Sequence, residues 1–244
     1  MTPQKTVTEA IDFRRSVRIY DAQKPIDTAL VKQCIEQASL APNSSNLQLW
    51  EFIHVSSPSL IDKIAPLCFD QNAAKTAQQL VVVVVRKDLW KKRAAANLQY
   101  IHQLYPKKAN EAPSGREKFA KNYYRKMIPF AYTDFLGVLG FFKYLLVLIS
   151  GLFRPMYREV RNKDMRVVAH KSAALAAQNF MLSMAAIEYD TCPMEGSDTW
   201  RVKRLLKLPR KSEINMIISC GIRDEKGVYG DRFRIPFQEI YTHI

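Results

Sequence analysis

A run of five consecutive valines is the feature that most restricts what this chain can fold into. Residues 80–87 read LVVVVVRK, and a β-branched run of this kind is typical of a central strand that is buried on both faces. A second apolar run, INMIISCGI at 214–222, and a third run at 48–55 also predict strands. The chain is therefore expected to fold in layers around a few buried strands.

Helical patterns surround these strands. The alternation of helices with a few buried strands indicates an α/β or α+β layered sandwich. With 244 residues and neither repeats nor a low-complexity linker, one domain over 1–244 is expected, with a helical basic and apolar insert at about 88–160. The other predicted helices span 7–14, 27–40, 58–79 and 165–190.

The net charge and the cysteines restrict the partners and the compartment. Thirty-seven Lys and Arg against 23 Asp and Glu give a net charge of +14, which implies an anionic partner: nucleic acid, an acidic membrane surface or a phosphorylated cofactor. The four cysteines lie far apart and form no CxxC pair, which argues against a disulfide framework and against a zinc site. The N-terminus lacks the apolar core of a secretion signal. We therefore expect a cytoplasmic protein.

An apolar stretch at 135–153, FLGVLGFFKYLLVLISGLF, allows two interpretations. As one helix it would be about 28 Å long, close to the thickness of a bilayer core, and basic residues flank it on both sides. Lys143 in its middle would cost about 2.5–3.5 kcal/mol on membrane-insertion scales. A single span would also place the two halves of the chain on opposite sides of a membrane, although both halves contribute to the site described next. A packed helix, as a lid or a dimer face, is therefore preferred, and a peripheral membrane contact stays open.

The common phosphate and metal motifs are absent. The sequence has no GxGxxG, no GxxxxGK[ST] and no HExxH, its four histidines show no ligand spacing, and it has only 8 glycines. No metal site is predicted, and a phosphate would have to be held by arginine side chains, whose planar forks bind its oxygens in pairs. Two clusters offer such forks: RRSVR at 14–18 and RFR at 232–234. The usual alternative for either cluster is a solvated surface charge.

Two loops bring further polar groups. YDTCPMEGSD at 189–198 leaves the long helix, turns at Pro193 and Gly196, and starts another helix near Ser197 or Asp198. Such a turn presents backbone N–H groups that can hydrogen-bond a planar heterocycle. LAPNSSNLQLW at 40–50 places polar residues between a helix and a strand. The simpler interpretation of both loops is that they only connect elements.

The order of these motifs resembles the nitroreductase family of FMN-dependent oxidoreductases. RRSVR, APNSSNLQLWEF, CPMEG after a long Ala-rich helix, a strand ending in SCGI, and RFRIPF follow one another over nearly the whole chain. The resemblance implies an α+β fold: a three-layer sandwich with a central, mainly antiparallel sheet flanked by helices, and a C-terminal extension exchanged in a homodimer. It also implies tightly bound FMN, with NAD(P)H as co-substrate.

The resemblance implies contacts to FMN position by position. Arg14, Arg232 and Arg234 would hold the phosphate. Ser16 and Arg18 would lie near the ribityl chain and the pyrimidine edge, where Arg18 would stabilise the anionic reduced ring. The full set of expected contacts is Arg14, Arg15, Ser16, Arg18, Pro42, Asn43, Ser44, Asn46, Gln71, Pro193, Met194, Glu195, Gly196, Arg232 and Arg234.

The remaining expected contacts to FMN come from backbone N–H groups, from the second subunit and from a side-chain amide. The backbone N–H groups of Glu195 and Gly196 would face N5 and O4 of the ring. The loop at 42–46 would arrive from the second subunit. Gln71 would supply an amide to the ring, with Asn72 as the alternative register. No side chain is expected to act as acid or base, because the flavin itself carries the hydride.

Two departures from the family pattern leave the acceptor open. Leu49 stands where Pro is common and Ser197 where an aromatic residue is common, and the stretch 135–153 falls in the region that builds the substrate cover. The expected function is ping-pong transfer of hydride from NAD(P)H through FMN to a small electron-poor aromatic, a nitroaromatic or a quinone. The alternatives are reductive dehalogenation or flavin breakdown on the same fold, or a basic protein that binds a membrane surface or nucleic acid. Specific nucleic-acid binding is not expected.

Overall fold

The computed structural model describes residues 4–106, 112–135 and 137–244. Residues 107–111 and 136 of the predicted insert at 88–160 lie outside the described residues, as do residues 1–3. The strands are β1 Trp50–Val55, β2 Gln79–Val85, β3 Asp190–Met194 and β4 Glu213–Gly221. The helices are α1 Val7–Phe13, α2 Thr28–Ala38, α3 Pro58–Ile64, α4 Asn72–Lys75, α5 Trp90–Leu104, α6 Gly115–Asn122, α7 Ile128–Tyr132, α8 Val138–Ser150, α9 Asn162–Ala186, α10 Thr199–Leu205 and α11 Phe237–Ile240.

The strands form an antiparallel sheet in the order β1-β2-β4-β3. The valine strand β2 lies inside it: Val85 pairs with Trp50 of β1, and Val81 pairs with Ile218 of β4. Every residue of β2 is buried. The prediction of a central strand buried on both faces is confirmed.

The side chains of β2 alternate between two apolar cores, because successive residues of a strand point to opposite faces. The odd-numbered valines join a core with the Ala-rich side of α9, whose small side chains allow the helix to lie close to the sheet. The even-numbered positions join a core with Ile61 and Ile64 of α3 and Val202 of α10. Helices thus cover both faces of the sheet. The expected three-layer α+β sandwich is confirmed.

The stretch 58–79, which was predicted to be helical, is interrupted. Helix α3 ends at Ile64, a short 3₁₀ turn follows, and Phe69 and Asp70 then take left-handed backbone conformations with φ of 55° and 53°. Helix α4 covers only four residues, and Gln79 already belongs to β2. The prediction was wrong here because consecutive left-handed residues cannot continue a right-handed helix.

Strand β3 was not predicted. The turn expected at 193–196 begins two residues later, because Pro193 and Met194 belong to β3 and pair with Ile218 and Ile217. Proline lacks the N–H that a central strand needs, but an edge strand tolerates it. Strand β3 pairs only with β4 and forms one edge of the described sheet, so Pro193 lies in an edge strand.

The apolar stretch 135–153 contains α8, which covers 13 residues and is about 20 Å long. In the described part of the chain, no helix has the length and apolar character needed to cross a bilayer. The Lys143 ammonium donates a hydrogen bond to the Thr133 carbonyl and lies 5.3 Å from the centre of the Phe130 ring. The lysine side chain therefore contacts residues that precede the stretch.

Candidate functional site

The two arginine clusters of the sequence face one cavity. Residues 14–18 follow α1, and residues 228–234 come from the segment after β4. Together they enclose about 310 Å³. The Arg232 guanidinium donates to the carbonyl oxygens of Asp12 (2.8 Å) and Arg14 (2.7 Å), and the Arg15 guanidinium donates back to the Gly230 carbonyl. The lining residues are Arg14, Arg15, Ser16, Arg18, Val228, Tyr229, Gly230, Asp231, Arg232, Phe233 and Arg234.

The direction of Ser16 and Arg18 follows from an extended backbone beside β3. The Val17 N–H donates to the Thr191 carbonyl (3.2 Å), and Ser16 forms a parallel bridge with Thr191. Val17 is fully buried. Because side chains alternate along an extended segment, the two neighbours of Val17 point the other way, into the cavity.

A buried ion pair anchors this segment to the sheet. The Asp190 carboxylate, 2% exposed, accepts hydrogen bonds from both the Nε (3.0 Å) and the Nη2 (2.5 Å) of Arg223. The same guanidinium donates to the Phe13 carbonyl (3.1 Å) and lies 4.3 Å from the centre of the Phe13 ring. The residue before Arg14 is thus tied to the ends of β3 and β4.

The cavity gathers positive charge without pairing it. Burial lowers the pKa of Arg14, and the neighbouring charges of Arg232 and Arg234 lower it further. Among the residues that the structure describes, no carboxylate comes within 4.0 Å of the guanidinium groups of Arg14, Arg18 or Arg234, whereas Arg223 is fully paired. A group of arginines that repel one another, with Arg14 and Arg18 partly buried, fits a dianionic ligand, because arginine binds phosphate oxygens with paired, charge-assisted hydrogen bonds.

The turn after β3 is held by an amide. The Gln71 Nε2 donates to the carbonyl oxygens of Gly196 (2.9 Å) and Cys68 (3.0 Å), so that Gln71 lies beside the predicted turn. Glu195 and Gly196 are exposed, and no described residue accepts a hydrogen bond from their backbone N–H groups. These two donors are available to a ligand.

Asn72, the alternative to Gln71, faces the arginine cavity instead. Its Nδ2 donates to the Tyr229 hydroxyl (2.9 Å), and Tyr229 lines the cavity. Sequence reasoning missed Tyr229 and its neighbours Val228, Gly230 and Asp231. Their position just before the RFR motif was the available signal, because a segment that brings Arg232 to the cavity also brings the residues before it.

The loop at 42–46 lies elsewhere in the chain. The Ser45 hydroxyl is 2.6 Å from the Tyr123 hydroxyl, and the Asn46 Nδ2 donates to the Asn97 Oδ1 of α5 (2.9 Å). The Asn43 Oδ1 accepts from the Gln48 N–H (2.9 Å), and Ser44 lies near Ser172 of α9. Within one chain, Pro42, Asn43, Ser44 and Asn46 are therefore not brought to the arginine cavity.

A second cavity, of about 810 Å³, begins at this loop. Ser44 and Ser45 line one end, and the remaining wall is mostly apolar. That wall comes from α8, from the residues of the insert before and after it, and from α9. Its lining includes Tyr123, Met127, Ile128, Phe130, Tyr132, Val147, Met156, Tyr157, Val160 and Met165.

A comparison of the sequence with models of protein families shows which family the chain belongs to. The model of the nitroreductase family matches residues 11–222, most of the chain. The chain belongs to the nitroreductase family. The match includes the arginines at 14–18, Gln71 and the turn at 193–196, but it ends before Arg232 and Arg234. The family consists of NAD(P)H-using flavin oxidoreductases, so the expected enzyme class is confirmed.

Curated relatives of the chain are distant in sequence but span most of its length. Protein DrgA of Synechocystis sp. is 26% identical over 217 residues, which cover 89% of this chain and 84% of that protein. A Bacillus subtilis protein provisionally named NAD(P)H nitroreductase YdgI is 22% identical over 234 residues, covering 95% and 94%.

Two solved structures share the fold of the chain. A Staphylococcus epidermidis protein provisionally called an NAD(P)H:FMN oxidoreductase superposes with a TM-score of 0.75 at 17% identity, covering 100% of this chain and 98% of that one. A protein of Exiguobacterium sibiricum, provisionally called a nitroreductase and solved in complex with FMN, gives a TM-score of 0.66 at 20% identity, with 98% of each chain covered.

Proposed function

We propose that this nitroreductase-family chain passes hydride from NAD(P)H, by way of tightly bound FMN, to an electron-poor aromatic acceptor such as a nitroaromatic or a quinone. The observation that supports the proposal most strongly is the convergence of Arg14, Arg18, Arg232 and Arg234 on one cavity. FMN, when bound, would supply the redox chemistry, a ping-pong transfer of hydride between the nicotinamide and the acceptor.

The arginines bind and orient the cofactor. Arg14, Arg232 and Arg234 neutralise the phosphate, and Arg15, which donates to the Gly230 carbonyl, holds the two walls of the cavity together. Ser16 and Arg18 bind along the ribityl chain and the pyrimidine edge. The positive charge of Arg18 stabilises negative charge on the reduced ring.

The turn after β3 orients the ring. The free N–H groups of Glu195 and Gly196 donate hydrogen bonds to the ring edge, with Pro193 and Met194 beside it. Gln71 fixes this turn through the Gly196 carbonyl, which is 2.9 Å from its amide nitrogen. We assign no catalytic side chain, because no acid or base is needed for hydride transfer.

The absorption spectrum of the purified protein tests this proposal. We expect bound flavin that bleaches when NADH or NADPH is added without oxygen and regains its colour when a quinone or a nitroaromatic follows. Added FMN should also raise the melting temperature of flavin-depleted protein, since a ligand that binds only the folded state stabilises it. A colourless protein whose melting temperature does not respond to FMN would contradict the proposal.

We further propose that the chain acts as a homodimer with two flavins at the interface. The C-terminal segment 229–244 is exposed throughout and carries large apolar residues, among them Phe233 (77% exposed) and Ile240 (70%). An apolar segment of this kind is suited to cover by a second copy. The same exchange brings the loop at 42–46 to the partner's flavin, and α9 adds to the interface.

Removing residues 237–244 tests the homodimer. The complete chain is expected to have twice the mass of one chain in light scattering at micromolar concentration, and the truncated chain to dissociate at least tenfold more readily and to lose FMN in parallel. A complete chain that has the mass of one chain and still retains FMN would refute the dimer without refuting the cofactor.

The remaining assignments follow from this proposal. Residues 1–244 act as a single FMN-binding domain whose insert at about 88–160 covers the acceptor. The proposed compartment is the cytoplasm, which suits four buried cysteines that are all free thiols. One anionic partner that the positive charge implies is the phosphate of FMN, and no specific nucleic acid is required.

A further inference from the structure

Helix α8 presents an apolar face to solvent. Only Gly140 and Val147 of α8 are buried, whereas Phe142 is 61% exposed and Leu146 is 54% exposed. Leu145 and Ile149 complete one face at the spacing of helix turns, and Leu152 (78%) and Phe153 (86%) extend it beyond the helix end. Soluble surfaces rarely expose so many large apolar side chains in one place.

The charges along this part of the chain are positive, and Asp134 and Glu159 lie directly outside it. From 135 to 158 the sequence has no Asp or Glu, and it contains Lys143, Arg154 and Arg158. Arg154 and Arg158 are exposed, and in the described part of the chain no carboxylate lies within ion-pair distance of either. A helix with an apolar face and basic residues at its border matches the boundary between acyl chains and headgroups of an anionic membrane.

A second copy of the chain is a poorer partner for this face. In a two-fold interface the same patch meets itself, so Arg154 and Arg158 would approach the same arginines of the other copy, and with Glu159 as the neighbouring carboxylate each copy would still bring a net positive charge. The exposed C-terminal segment already offers an apolar surface to a second copy. Insertion across the bilayer does not apply, because α8 is too short to span it.

We propose that α8 and the residues 152–158 after it dock the protein on the surface of an anionic membrane. The apolar face enters the boundary region, and the two arginines stay at the level of the lipid phosphates. Docking requires neither FMN nor hydride transfer, so it can fail or hold independently of the proposed activity.

The position of α8 also indicates the class of acceptor, a step that rests on the proposed function. The buried side of α8, at Val147, lines the apolar cavity of about 810 Å³ that reaches Ser44 and Ser45. With α8 in the membrane surface, this cavity lies directly beneath the lipid. The acceptor is therefore a lipid-soluble compound, such as a quinone with a long apolar tail.

Vesicle flotation of the complete purified protein tests the docking. We expect binding to vesicles that contain about one third phosphatidylglycerol to be at least tenfold stronger than binding to pure phosphatidylcholine, and to weaken with added salt. Phe142→Ser/Leu146→Ser should lower binding about tenfold or more. The matched control, Leu104→Ser/Trp200→Ser, changes residues of similar exposure (53% and 60%) on α5 and α10 and should leave binding unchanged.

Three results would overturn the docking: no flotation with the anionic vesicles, equal loss in both double variants, or a change of mass in solution for the α8 variant alone. Circular dichroism and the melting temperature confirm that each variant is folded.

In the flavin-loaded enzyme, the α8 variant should reduce a long-tailed quinone in vesicles at least tenfold more slowly while reducing a water-soluble quinone at the same rate. Equal loss on both quinones would refute the lipid-soluble acceptor, and absence of flavin would refute the proposed activity while flotation still stands.

Discussion

Replacing Arg14 with Met is expected to weaken FMN binding by about a hundredfold and to leave the flavin-free protein at least as stable as before. Removing one partner of a buried charge pair costs about 2–5 kcal/mol, and each 1.4 kcal/mol is a factor of ten in affinity. The flavin-free protein loses no ion pair with any residue that the structure describes, because Arg14 forms none there. Instead, the substitution removes the repulsion between Arg14 and its neighbours Arg232 and Arg234. Burial lowers the pKa of Arg14 most, and these two charges lower it further.

Fluorescence titration with FMN measures the affinity. Melting temperatures recorded with and without FMN measure the stability of the flavin-bound and flavin-free protein. Arg210→Met is the matched control, since Arg210 is exposed in the loop before β4 and lies outside the cavity. If the Arg14 variant binds FMN as tightly as the parent protein, or if its flavin-free form melts far lower, the arginine cavity is not the phosphate site.

Asp190→Asn is expected to destabilise the fold by about 3 kcal/mol, because Asp190 is the only carboxylate among the described residues within ion-pair distance of Arg223, and the pair is largely buried. For a chain of this size that corresponds to a drop of about 10 °C in melting temperature. Since Arg223 also donates to the Phe13 carbonyl (3.1 Å), FMN binding should weaken as well, with the phosphate cavity loosened.

Thermal and urea unfolding measure this effect. Glu36→Gln provides the control, because it makes the same chemical change in an exposed ion pair with Lys32 and should cost no more than about 0.5 kcal/mol. Equal melting temperatures for the two variants would show that the Asp190–Arg223 pair does not hold the site together.

The sequence predicted those parts of the fold that depend on local pattern. The valine run led to the buried strand β2, and small alanines at helical spacing led to α9. Strand β3 was missed because Pro193 is a turn signal, and its place in the sheet depends on pairing with β4, which lies further along the chain. The break at Phe69 and Asp70 was missed because left-handed residues other than glycine leave little trace in a sequence.

The candidate site was predictable where its residues belong to a short sequence motif. The arginines at 14–18 and 232–234 were chosen as phosphate ligands, and the structure places them around one cavity although more than two hundred residues separate them. Tyr229 was missed because its place on the cavity wall follows from the path of the backbone. The role of Ser44 and Asn46 stays a prediction, since it depends on a second chain.

The placement of the valine strand has a consequence for biosynthesis. Strand β1 is already available when β2 emerges from the ribosome. Ile218, which pairs with Val81 on the other side of β2, is synthesised only after a further stretch of more than half the chain length. Until then β2 presents an unpaired, flat and apolar hydrogen-bonding edge, which neighbouring nascent chains can join. The strand that defines the finished core is thus exposed to aggregation during translation.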